Sequence, residues 1–130
     1  MVVTQACRDL ALLLRLPSVH SESGRLTPLE LPGFSFTPIR MFLVHGLDGA
    51  SRGGHAHRWG RQLLVRTAGS ITLKLRMGCE EEVFELNAEN NACLISAPVW
   101  SSQTYHGDQA CLAVLCDSVY DPDSYVDAAQ

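Results

Sequence analysis

With 130 residues, 46% of them hydrophobic and 18% charged, the chain has the size and composition of one globular domain able to bury a core of its own. Ten Lys and Arg against 14 Asp and Glu give a formal charge of −4, which argues against a general nucleic-acid binder because phosphate backbones select a basic face. The apolar run at 10–14 is stopped by Arg15, far short of the roughly 20 residues of a membrane helix. No cleavage signature follows a basic start, so neither membrane insertion nor export is expected and a cytoplasmic location is the default.

In chain order, DLALLLRL at 9–16 is too short for periodicity to choose between a helical turn and a strand. FTPIRMFLVHGL at 36–47 reads as a strand and is followed by the glycine-rich DGASRGG. RQLLVRT reads as another strand, expected to end at Ala68-Gly69-Ser70. In SITLKLRM, Ile71, Leu73, Leu75 and Met77 alternate with Thr72, Lys74 and Arg76, the two-residue period of a half-buried strand. A turn at Gly78 leads to EEEVFEL, NAENN forms a loop, and ACLISAPVW and ACLAVLCD complete the series. The tail YDPDSYVDAAQ carries turn chemistry and is expected to fold back over the edge of the domain. Short strands between turn signals predict an all-β sandwich or barrel with few helices, a single domain over residues 1–130.

The five cysteines, Cys7, Cys79, Cys93, Cys111 and Cys116, are odd in number and form no CxxC pair. Free thiols in a reducing compartment, several of them buried in apolar runs, are the expected state.

His55 and His57 stand at i and i+2 after the glycine run, a spacing that lets a strand present both imidazoles on one face. Metal binding, proton transfer and simple packing are the three uses of such a pair. The spacing of Gly49, His55, His57, Gln62 and Gly69 resembles the first cupin motif, with Gln62 where a carboxylate ligand belongs. The second motif places a histidine five residues after a proline; here Gln103 follows Pro98 at that distance, and His106 lies three further on. Two neutral amides among four expected ligands make a poor site for a divalent ion, so neither a metal nor another cofactor is expected. Two imidazoles titrating near neutral pH suit proton transfer instead.

Beyond cupin spacing, the blocks SRGGHAH, QLLV, GS, APVW and CDSVYDPDSYV resemble the nucleotide-sugar 3,4-ketoisomerases, small cupins that act on dTDP-4-keto-6-deoxyglucose in deoxysugar biosynthesis. SGRLTPLE and IRMFLVHGL match the family more loosely. The resemblance implies a jelly-roll barrel, a dTDP-linked sugar as substrate and a homodimer in which the first strand crosses to the partner. It implies His57 as principal acid/base and His55 as a second acid/base or oxygen-polarising group, with the two roles open to exchange. Gln62 is placed to hydrogen-bond a hydroxyl or orient an imidazole. Arg52 is the leading diphosphate ligand and Arg40 the second candidate, since a guanidinium fork matches phosphate oxygens. Trp100 is set either to stack on thymine or a sugar face or to pack, and Tyr105 and His106 are further candidates for the cavity mouth. Tyr120 and Tyr125 are expected to fasten the tail. The chain departs from the family where Phe42-Leu43 replaces a Tyr-Tyr pair, where Arg58-Trp59 replaces lysines, and in the turn after Met77. Competing readings are a non-catalytic sugar-nucleotide-binding cupin, a keto-sugar epimerase and a metal-dependent dioxygenase.

Overall fold

The computed structural model describes residues 1–31 and 35–126. Strands β1 (Val2–Ala6) and β2 (Ala11–Leu14) form a hairpin, so the ambiguous segment at 9–16 is a strand. Its turn runs through three consecutive left-handed residues, Cys7, Arg8 and Asp9, with φ of 53°, 57° and 66°. A small exposed hairpin of β3 (Val19–Ser21) and β4 (Gly24–Leu26) stands apart from the main sheet. The barrel itself is built from β5 (Arg40–His45), β6 (Ser51–His57), β7 (Arg61–Met77), β8 (Glu80–Leu86), β9 (Ala92–Ser96), β10 (Trp100–Cys116) and β11 (Tyr125–Val126). The strand order is β1-β2-β9-β7-β10-β6-β11, with β5 added on β10 and β8 on β7. This is an all-β barrel, as the alternation and turn signals predict, and the jelly-roll form is the one the resemblance implies. Among the described residues no helix is long and apolar enough to cross a membrane. β1, the strand expected to cross to a partner, is paired here with β2 of its own chain.

Two expected boundaries are bends. β7 and β10 each run for 17 residues, through the expected stop at 68–70 and straight from Trp100 into ACLAVLC. The ladder between them slips where His106 and Cys111 face Ser70 and Ala68. Gly69 sits at that slip with φ of 70°, and a Cβ there would lie 2.7 Å from the Ala110 Cα. Only a glycine lets the two backbones come so close, so a residue that reads as a turn serves a bulge that re-aims both strands. Beyond the bend, residues 111–116 of β10 pair with β5 on one side and β7 on the other; before it, residues 101–104 pair with β6 and β7.

The period-2 reading of SITLKLRM holds: Ile71, Leu73 and Leu75 are each 0% exposed and face Phe84 and Leu86 in the main core. Leu64 joins that core while its neighbour Leu63 joins a second cluster with Leu14, Phe36, Ala92 and Leu94 under the outer strands. Each such leucine, isoleucine or phenylalanine contributes about 1.5–3 kcal/mol by leaving water, before conformational entropy is counted. All five cysteines are free, four of them buried, and burial pushes the Cys93 thiol far above its ordinary range. The tail does fold back, pairing Tyr125 with His57 and Val126 with Ala56; residues 127–130 lie outside the described residues.

The bend can be tested against a second left-handed glycine, Gly78, whose φ is 61° with nothing within 4 Å of an added Cβ. Gly78→Ala should cost about 1–2 kcal/mol from backbone conformation alone. Gly69→Ala adds a backbone collision and should cost clearly more in urea unfolding. Equal losses would contradict the account of the bend.

Candidate active site

Residues of β5, β6, β7 and β10, with Tyr125 of β11, enclose a cavity of about 250 Å³. β5 contributes Arg40, Phe42 and Val44, and β7 contributes Gln62 and Leu64. From β10 come Ser101, Gln103 and Tyr105 before the bend and Leu112 and Val114 after it. Each set obeys the two-residue period of its strand.

β6 supplies Arg52, His55 and His57, although Arg52 and His55 are three apart and would face opposite ways on a regular strand. Gly53 and Gly54 resolve this. Both are left-handed (φ 80° and 81°), and the pairing shifts by one residue there, Ser101 facing His55 while Ser102 faces Gly53. The bulge absorbs the extra residue and returns Arg52 to the face of the histidines.

The imidazoles of His55 and His57 stand nearly perpendicular with centroids 6.3 Å apart. The ring of Tyr125 lies 5.0 Å from the first and 4.6 Å from the second. His57 Nδ1 is 3.4 Å from Ser124 Oγ. Burial holds the His57 pKa below its ordinary value, and the charges of His55 and Arg40 depress it further. Among the described residues, no carboxylate lines the cavity to oppose them. Arg40 lies 4.7 Å over the Phe42 ring and 5.3 Å over that of Tyr120, so Phe42 acts as a face for the guanidinium. Gln62 Nε2 donates to Cys116 Sγ at 3.5 Å, and Gln103 Nε2 donates to Ser101 Oγ at 3.1 Å. The Tyr105 hydroxyl is buried without a hydrogen-bond partner among the described residues. Burial raises its pKa despite the opposing pull of Arg52, so it is a protonated phenol.

A model of the family described as FdtA, WxcM-like, C-terminal, matches residues 9–130. The chain is a member of this family. No curated protein matches it. Among solved structures it is similar to a variant of the 3,4-ketoisomerase QdtA from Thermoanaerobacterium thermosaccharolyticum in complex with TDP-4-keto-6-deoxyglucose: 26% identity, TM-score 0.83, 92% of this chain and 88% of that one. It is similar to the TDP-quinovose 3,4-ketoisomerase WlaRB from Campylobacter jejuni at 27% identity and TM-score 0.81, over 91% and 92% of the two chains. The 3'-monoepimerase ChmJ from Streptomyces bikiniensis shares the fold at 19% identity and TM-score 0.82, over 94% and 71%.

Of the residues singled out in this WxcM-like chain, Arg40, Arg52, His55, His57 and Gln62 meet in the cavity, and Trp100 does not. Strand alternation turns Trp100 to the other face of β10, where its ring lies 4.8 Å from the guanidinium carbon of Arg76. His106 is likewise outside, exposed and 2.9 Å from Thr72 Oγ1. Tyr105 does line the cavity. Tyr125 fastens the tail as expected, but it also faces both imidazoles, a role with no local signature in the sequence because it depends on a partner strand 68 positions away in the chain (Tyr125 to His57).

The donor set does not fit the metal that cupin folds commonly hold. Among the described residues no three His, Cys, Asp or Glu side chains converge, and the amides of Gln62 and Gln103 are poor ligands for a divalent ion. The chemistry of the cavity is that of two imidazoles and two guanidiniums.

The lowered His57 pKa has a consequence for stability. An unfolded histidine titrates near 6.5, and folded His57 titrates below that. Between the two values the unfolded chain holds a proton that the folded chain lacks, so acidification favours unfolding. The contribution of neutral His57 is therefore complete above 6.5 and declines as the pH falls from there toward the folded value. His57→Gln should flatten that part of the stability–pH curve in denaturant titrations. Identical slopes for the two proteins would contradict the assignment.

Proposed function

We propose that the chain is a sugar-nucleotide 3,4-ketoisomerase that moves the carbonyl of a dTDP-4-keto-6-deoxyhexose from C4 to C3. The observation that carries this reading is the convergence of His55, His57, Arg40 and Arg52 on one cavity that no carboxylate lines among the described residues. Such a cavity favours a dianionic diphosphate and a neutral imidazole base together. Family membership and the likeness to two ketoisomerases above 25% identity support it.

The C4 ketone acidifies the neighbouring C3–H. His57 takes that proton, and the electron pair of the C–H bond passes through C3–C4 to the carbonyl oxygen, giving an enediolate. A proton leaves the C3 oxygen as one is gained at the C4 oxygen, and C4 receives a proton on carbon. The product is an isomer of the substrate, with no net oxidation. His55 serves as second acid/base or polarises the reacting oxygens, and the charge that develops on them is met by nearby donors instead of bulk water. Arg52, with Arg40, holds the diphosphate, and Gln62 hydrogen-bonds a sugar hydroxyl. A homodimer belongs to the same reading, covering apolar residues such as Met41 (62% exposed) and Leu43 (52%) on the outer face of β5. The free thiols suit a reducing, cytoplasmic setting.

Phe42 favours a second reading. It removes a hydroxyl that the family places in this strand, as expected of a sugar-nucleotide-binding cupin that has lost catalysis. Proton NMR with dTDP-4-keto-6-deoxyglucose in D2O separates the readings. The isomerase gives a 3-keto sugar with deuterium at C4, absent with folded His57→Ala protein. Exchange or inversion beside an unmoved C4 carbonyl would mark an epimerase. Binding without exchange by the wild type would establish the binding cupin and overturn the isomerase.

A further inference from the structure

We propose that Ser124 is a positioning residue that holds His57 in its Nδ1–H tautomer and so leaves Nε2 unprotonated as the base. Ser124 Oγ lies 2.8 Å from the backbone carbonyl of Asp121, and a carbonyl can only accept. The single hydroxyl proton of Ser124 is therefore committed to Asp121. Toward His57 Nδ1, 3.4 Å away, the same oxygen can only accept, so that nitrogen carries the proton. An imidazole without such an acceptor favours the opposite, Nε2–H form.

The surroundings keep this chain of contacts in place. Ser124 is 5% exposed and closes the 3-10 turn Pro122–Ser124, whose cap is the Asp121 carboxylate accepting from Asp123 N at 2.9 Å. Arg58 ties the turn to the end of β6, its backbone N–H donating to Ser124 O at 2.8 Å and its Nε to Asp123 O at 3.1 Å. Tyr125, the next residue, pairs with His57 itself. Among the described residues, the groups that face His57 are His55 on its own strand, Arg40 on β5, Tyr125 on β11 and the Ser124 hydroxyl. The Asp121 carboxylate lines the adjoining niche, where one of its oxygens accepts from Asp123 N. Ser124 thus orients the ring as a buried acid would, without the charge that would stabilise imidazolium. The result is a base that is neutral at neutral pH and presents a defined nitrogen.

The catalytic half of this proposal rests on the ketoisomerase reading; the tautomer does not. Long-range proton–nitrogen spectra of the histidine rings, with His57 assigned by its loss in His57→Asn, report the tautomer without substrate. The wild type should show Nδ1 protonated and Nε2 bare, and Ser124→Ala should move His57 toward the Nε2–H form. In turnover of dTDP-4-keto-6-deoxyglucose, Ser124→Ala should lower kcat by about tenfold or more with KM little changed, a fraction of what a positioned acid/base supplies. Ser124→Thr keeps the hydroxyl and should restore both readouts. Ser124→Asp should keep the tautomer and move the acidic limb of the pH–rate profile upward, because a carboxylate at Nδ1 favours the charged ring. An Nε2–H ring in the wild type, or an alanine variant with unchanged ring signals, would overturn the proposal. A wild type with the Nδ1–H ring but no turnover would uphold Ser124's positioning and sink the ketoisomerase reading alone.

Discussion

Side chains alternate across a strand, and a cavity lined from several strands requires their alternations to be in phase. That constraint governs the molecule. β7 and β10 satisfy it by bending together at the contact between Gly69 and Ala110, which lets each strand serve both layers of the barrel. β6 satisfies it by a bulge at Gly53 and Gly54, which shifts Arg52 by one residue relative to the histidines. Had either device been a regular stretch of strand, the hydrophobic core would still form, but Arg52 or the polar residues of β10 would point out of the cavity.

The electrostatics follow from the same placement. Guanidiniums on β5 and β6 and an imidazole pair on β6 face a space into which the described residues send no acid. Burial, reinforced by the charges of His55 and Arg40, therefore discourages His57 from taking up a proton. Arg40 lies against the rings of Phe42 and Tyr120 and forms no ion pair among the described residues, so its charge remains available to the cavity.

Much of this was legible in the residues. The alternation at 70–77 gave the core face, and the His-x-His spacing with Arg52 and Gln62 gave five of the polar lining residues once Arg40 is included. The strand lengths were not legible, because Gly69 reads equally as the end of a strand and as a close approach within one. Of the two readings open for Trp100, packing on the outer face was the one its position in the strand favours. The motif spacing from Pro98 aims Gln103 inward, and Trp100 lies an odd three positions before it, hence on the opposite face. Tyr125 and Ser124 were beyond reach, since their roles come from a pairing with β6 that no local pattern encodes.

The central claim is that the Arg40–Arg52 cavity holds the diphosphate of a nucleotide sugar, and calorimetric titration with dTDP tests it most directly. The account predicts that the wild type binds dTDP, more weakly as salt rises. It predicts that Arg40→Met/Arg52→Met protein loses about tenfold or more in affinity while remaining folded, since a charge-assisted hydrogen bond is worth about 1.5–3 kcal/mol. Binding that is unchanged in the double variant, or a folded wild type that takes up no dTDP, would contradict it.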